Sequence, residues 1–138
     1  MAIGSVDSAV DSAGMPAPPI QLFGRRDSRE TQGALRFFKE RRIEVSFVDV
    51  ARKPPAPAEL RRFADRLGAR ALIDSEGKRY RDAGLAWIRM DEAETLERLL
   101  ADPGLLRLPL ARFGSEVSAG ADEAAWRRWA EVVRRASR

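Results

Sequence analysis

The chain has 138 residues, of which 44% are hydrophobic and 33% charged, and its formal net charge is +4. That length suits one domain with a substantial core and a tail besides. It contains no Cys and no His, which excludes disulfides, a thiol nucleophile, Cys- or His-ligated zinc and Ser–His triads; no metal site is expected.

The positive balance rests on Arg, but acidic residues are interspersed almost throughout, as on solvated helix faces. No strand combines aromatic and basic residues in the manner of an RNA-binding surface, so direct nucleic-acid binding is not expected. The apolar runs are only a few residues long, too short for a membrane helix. Residues 1–18 read as a flexible Ala/Ser/Gly/Pro leader, without the basic start and apolar segment of a secretory signal. The expectation is a cytoplasmic protein with a single domain over 19–138, and Met15 is a second candidate start.

Pro18-Pro19 introduces a first strand at Ile20–Phe23, and the chain turns at Gly24. A helix signal follows. Asp27 with Glu30 has the form of a capping box, and Ser28 is the alternative cap. Thr31, Ala34, Leu35 and Phe38 make one apolar stripe, and the helix is expected to end near Arg41-Arg42. Ile43–Phe47, extended by Val48 and Val50, alternates as a second strand. A strand–helix–strand of this length implies a parallel βαβ unit.

Three prolines between Arg52 and Pro57 break the chain, with Pro57 suited to the first turn of a helix. That helix buries Leu60, Phe63, Ala64 and Leu67 and stops at Gly68. Arg70–Ile73 is a short apolar piece, and Asp74–Tyr80 reads as a loop around Gly77. Asp91 and Glu94 form a second capping box for a helix whose buried side is Leu96, Leu99 and Leu100. Leu106, Leu108 and Leu110 alternate as a strand with Pro109 inside it, which a cis peptide bond would explain. Gly114-Ser115 turns into a strand at Glu116–Ser118. A last helix from Asp122 carries Ala125, Trp126, Trp129 and Val133 on one face and Arg127, Arg128, Arg134 and Arg135 on the other.

The order β-α-β, a helical insertion over about 53–103, then β-β-α describes an α/β thioredoxin-like fold, with a mixed four-stranded sheet flanked by helices. On this pattern the sequence resembles the arsenate reductase-like (ArsC/Spx/YffB) family across residues 19–126. Phe23-Gly24 with a helix start at Ser28 resembles the family's opening strand and active-site loop. Phe47-Val48-Asp49 resembles its second strand, and Arg70-Ala71-Leu72 with Gly77 and Gly84-Leu85 resembles its middle segment. Asp102-Pro103 with Leu105 and Pro109-Leu110 resemble its late signature.

The resemblance implies a cysteine at the start of the first helix, where the dipole and free N–H groups favour a thiolate. That position is Ser28. It also implies arginines that hold an oxyanion, where this sequence has Asp74, Leu108 with Arg107 displaced by one, and the neighbourhood of Ala119-Gly120. A serine needs a base to be activated and cannot run a disulfide cycle. No catalytic residue is therefore assigned. The expectation is a binding or regulatory module without thiol-reductase chemistry of its own. Its ligand-binding candidates are Gly24, Arg25, Arg26, Asp27, Ser28, Arg107 and Pro109, for a protein partner or a small anion. The resemblance supplies a precedent, since Spx-type members bind RNA polymerase. The alternative is a reductase-class protein that positions glutathione, with the thiol supplied by glutathione itself.

Overall fold

Along the first strand, Ile20 and Leu22 face one side and Gln21 and Phe23 the other, and two separate cores grow from that alternation. A computed structural model describes residues 17–137. Apart from Ala17 and Pro18, the leader expected over 1–18 lies outside the described residues. Strand β1 (Ile20–Gly24) is followed by α1 (Arg29–Glu40) and β2 (Val45–Asp49). Helices α2 (Pro57–Leu67), α3 (Lys78–Asp82) and α4 (Glu92–Ala101) come next, with 3-10 turns at Ala69–Leu72, Leu85–Trp87 and Pro103–Leu105. The hairpin β3 (Leu110–Phe113) and β4 (Glu116–Ala119) leads into α5 (Glu123–Ala136).

The four strands form one mixed sheet in the order β2-β1-β3-β4. β1 pairs parallel with β2, Ile20 opposite Val45, and antiparallel with β3, Phe23 opposite Leu110. β3 and β4 are antiparallel. This is a thioredoxin-like α/β fold.

On one face Ile20, Leu22, Ala111 and Phe113 pack beneath α1 and α5. This layer is aromatic: Phe37 and Phe38 meet edge to face with centroids 5.1 Å apart, and Trp126 lies 5.7 Å from Phe37. Phe38 and Trp129 are fully buried; a buried side chain of this size stabilises the fold by roughly 1.5–3 kcal/mol.

On the other face Phe23 and Leu110 meet Leu60, Phe63, Leu72, Leu99 and Leu105 from the helical section. That layer is mostly aliphatic and built from short pieces. On the two central strands, β1 and β3, only half of this face is apolar. Gln21 and Arg112, paired across β1 and β3, are polar, and Arg112 donates both to Gln21 and, at 3.1 Å, to Glu59 of α2.

Several local expectations shift. The apolar stripe of α1 buries Phe37 rather than Leu35, which is half-buried, because Trp126 of α5 covers Phe37. Leu67 is 36% exposed at the end of α2 and is not part of its buried face. β2 begins at Val45, not Ile43, because Ile43 closes α1: its N–H donates to the Phe38 carbonyl and that of Arg42 to Lys39. With Arg42 at φ 59°, this is a Schellman ending.

The polar stretch expected as a loop over 74–80 becomes helix from Lys78, tied down by Lys78–Asp82 and Arg79–Asp102 ion pairs. The alternation at 106–110 is not one strand. Leu106 bridges to Ile73, the Leu108–Pro109 bond is cis, and β3 starts only at Leu110.

Candidate functional site

β1 delivers the chain to Gly24, and the fold holds the turn that follows from below. A Cβ on Gly24 would sit 2.5 Å from both Cγ2 and Oγ1 of Thr31, so only glycine lets the first turn of α1 approach this closely. Thr31 is fully buried. The Gly24 carbonyl accepts from Val50 at 2.9 Å, which ties the turn to the end of β2.

Ser28, not Asp27, is the cap of α1. Its backbone is extended (φ −87°, ψ 123°), and its Oγ accepts from the Thr31 N–H at 3.1 Å. The box expected from Asp27 and Glu30 does not form. Asp27 lies one residue too early, inside the turn, and its carboxylate takes a bond from Arg25 Nη2 at 2.8 Å instead. Asp91 and Glu94 do form the reciprocal box expected of them, at 2.8 and 3.0 Å. Beyond the Ser28 cap, the Arg29 and Glu30 N–H groups open α1 without intrahelical acceptors, a setting that favours negative charge.

In front of this turn lies a cleft of about 620 Å³. Arg25, Asp27 and Ser28 of the turn line it, together with Arg107 and Leu108 from the segment before β3. Arg107 extends across Gly120, whose Cβ, if present, would be 2.6 Å from the guanidinium Nε; Gly120 also has φ 71°. The Arg107 N–H donates to the Leu72 carbonyl at 2.7 Å, fixing its backbone. Arg25 Nε is buried with no hydrogen-bond partner among the described residues.

The remaining candidates lie elsewhere. Gly24 and Pro109 are buried behind the cleft rather than lining it, and the Pro109 carbonyl accepts from Gly120 at 2.9 Å. Arg26 turns away: its guanidinium stacks 4.9 Å from the Phe47 ring centroid. The site is thus centred on Arg25, Asp27, Ser28 and Arg107.

Sequence reading overlooked the second acidic wall. Asp74 and Glu76 line the cleft, as does Glu30 at the start of α1. The Asp74 N–H donates to the Leu105 carbonyl at 2.8 Å, which draws the 74–76 loop towards the site. That bond joins residues far apart in sequence and has no local signature. The result is a cleft of interleaved carboxylates and guanidiniums, not a pure cation pocket.

The family model described as the ArsC family matches residues 25–129, three-quarters of the sequence. The chain belongs to the ArsC family. The uncharacterized protein YusI of Bacillus subtilis (strain 168) is 29% identical to this ArsC-family chain over 94 residues, covering 65% of this chain and 80% of YusI. A putative ArsC family related protein from Bacteroides fragilis superposes with a TM-score of 0.74 at 20% identity, covering 82% of this chain and 98% of that one. An arsenate reductase from Vibrio cholerae gives a TM-score of 0.68 at 15% identity, with coverages of 79% and 95%. At these identities the solved structures support the shared fold alone. The ArsC-family chain has no thiol of its own anywhere, so a disulfide cycle on its own side chains is chemically closed to it.

Proposed function

We propose that this ArsC-family protein is a binding or regulatory module that uses the turn at Arg25–Ser28 without thiol chemistry. The observation that carries this reading is Ser28, which stands where the family resemblance implies a cysteine. Its hydroxyl is already engaged as a helix cap, accepting from Thr31 at 3.1 Å. The cap fixes the turn, and no His in the chain could activate the hydroxyl. The Arg25 Nε, without a hydrogen-bond partner among the described residues, and the open helix N-terminus support recognition of an anionic group, a carboxylate-bearing protein segment or a small oxyanion.

A second reading has support from one feature. The cleft mixes three arginines with four carboxylates, which suits a zwitterionic thiol peptide such as glutathione, with the thiol supplied by that ligand.

NMR titration of the labelled protein with glutathione, arsenate and sulfate separates these readings. Shifts confined to Arg25–Glu30 and Arg107–Leu108, without catalysis, are the expected outcome for the module. Protein-dependent arsenate reduction in the presence of glutathione favours the second reading. Reduction of arsenate or a disulfide by the pure protein alone overturns both. An affinity capture from host lysate complements the titration. A specific protein partner whose binding is lost on Arg25→Glu would identify what the turn holds.

A further inference from the structure

The far end of α1 carries a second concavity that this function does not use. It is a groove of about 520 Å³ lined by Arg41, Arg42, Arg127 and Arg134 around Ile43 and Val133. Among the described residues its only acidic lining residue is Glu131, already engaged by Arg134 at 2.6 Å and Arg135 at 3.3 Å. Arg127 is paired with Glu123, and Arg41 lies flat over the Phe37 ring, 3.6 Å from its centroid. The Arg42 guanidinium has no partner among the described residues, and its backbone, at φ 59°, presents it beside the groove floor. The surface is an apolar strip edged by an excess of guanidiniums.

The chain itself holds a segment of matching chemistry. Residues 1–16 contain Val-Asp-Ser at 6–8 and again at 10–12, so two valines and two aspartates recur four residues apart. Asp7 and Asp11 are the only charged side chains in that segment, with no Lys or Arg beside them. Its attachment is also on the right side. Ala17, like Ile43, Val45, Val132 and Val133, packs against the aromatic cluster beneath α1 and α5, and β1 starts at Ile20 directly opposite Val45. The strand therefore begins at the end of the sheet where α1 finishes, away from the cleft.

We propose that residues 1–16 dock in this groove, with Val6 and Val10 on Ile43 and Val133, and Asp7 and Asp11 on the arginine rim. Reach does not limit the contact, since a flexible chain of about 16 residues would span roughly 20–24 Å. Tethering raises the segment's effective concentration to about the millimolar range, so a Kd of about 100 µM would be held roughly ten to one. The groove is then a self-occupied surface, and any acidic partner segment has to compete for it.

The absence of cysteine makes the test clean. A nitroxide on full-length Ser5→Cys should broaden the amide signals of Ile43, Val133 and Ser137 and leave those of Ser28–Thr31 intact. In the D7K/D11K background the broadening should fall at least several-fold, and adding Arg42→Glu to that background should restore part of it. In about 1 M salt, where the Debye length is about 3 Å, it should weaken in the parent chain. Equal broadening in parent and D7K/D11K chains overturns the proposal, as does none at the groove. Broadening that disappears when the labelled chain is diluted tenfold with unlabelled protein would assign the contact to a second copy and overturn it too.

Discussion

The two layers that cover the sheet are built on different plans. The α1/α5 layer uses two long helices and an interlocked set of Phe37, Phe38, Phe113, Trp126 and Trp129. The opposite layer uses three helices of 5 to 11 residues with 3-10 turns between them, packed mainly through aliphatic side chains. The cleft lies on the seam. Its Ser28 wall belongs to the first layer, whereas Asp74 and Glu76 hang from the second. A site built this way has one wall set by dense aromatic packing and another set by loops between short elements. Ligand-driven adjustment should therefore fall on the 74–76 side.

The largest expected effects compare the layers directly. Trp129→Ala should cost about 3–5 kcal/mol in urea unfolding, and Leu99→Ala about 2–5 kcal/mol. Both side chains are fully buried, so a Leu99 loss that clearly exceeds the Trp129 loss would reverse the ranking of the layers.

Gly24→Ala tests the seam. With Thr31 2.5 Å from the new methyl, the cost should be about 1–3 kcal/mol, and Thr31→Ala should recover part of it, giving a non-additive double mutant. Additive losses would mean that the turn does not rest on Thr31.

Smaller effects locate the cap. Ser28→Ala should cost about 1 kcal/mol and Asp27→Ala within about 0.5 kcal/mol, because the Arg25–Asp27 pair is solvent-facing. The reverse order would return the cap to Asp27.

The smallest effect belongs to the outer face of α5. Desolvation pushes the Glu131 carboxyl up, but hydrogen bonds and charge from Arg134, then Arg135, outweigh it and hold the pKa below the ordinary value. Its contribution to stability is therefore full above the unfolded-state pKa and is lost as pH falls through the lowered folded-state value. Glu131→Gln should flatten the acid limb of the stability profile slightly; an unchanged limb would show that the pair does nothing there.

Much of the frame was legible because it is local. The stripes of α1, α2 and α5 and the Asp91–Glu94 box follow from helical spacing, and the βαβ order follows from two short apolar runs around a helix. The errors sit where contacts distant in sequence decide. Asp27 and Ser28 are both competent caps, and only the position of the turn over Thr31 selects Ser28. Phe37 displaces Leu35 because Trp126, 89 residues later, covers it. The stretch from Leu106 to Pro109 alternates like a strand, yet Ile73 captures Leu106. For the site, the turn was readable from its own residues, while the Asp74–Glu76 wall needed the bond to Leu105.

The Gln21–Arg112–Glu59 group has a further consequence. Glu59 and Phe63 are one turn apart on α2, about 6 Å along its axis. Arg112 and Leu110, or Gln21 and Phe23, are two residues apart on their strands, about 6.7 Å. Glu59 meets Arg112 while Phe63 meets Phe23, with ring centroids 5.8 Å apart. Helix and sheet thus engage like a key with one polar and one greasy tooth. Sliding α2 by a turn would press Glu59 onto Phe23 and Leu110 and strand a half-buried guanidinium, a mismatch costing several kcal/mol. The ion pair works as an indexing pin: it sets the depth at which α2 seats on the sheet.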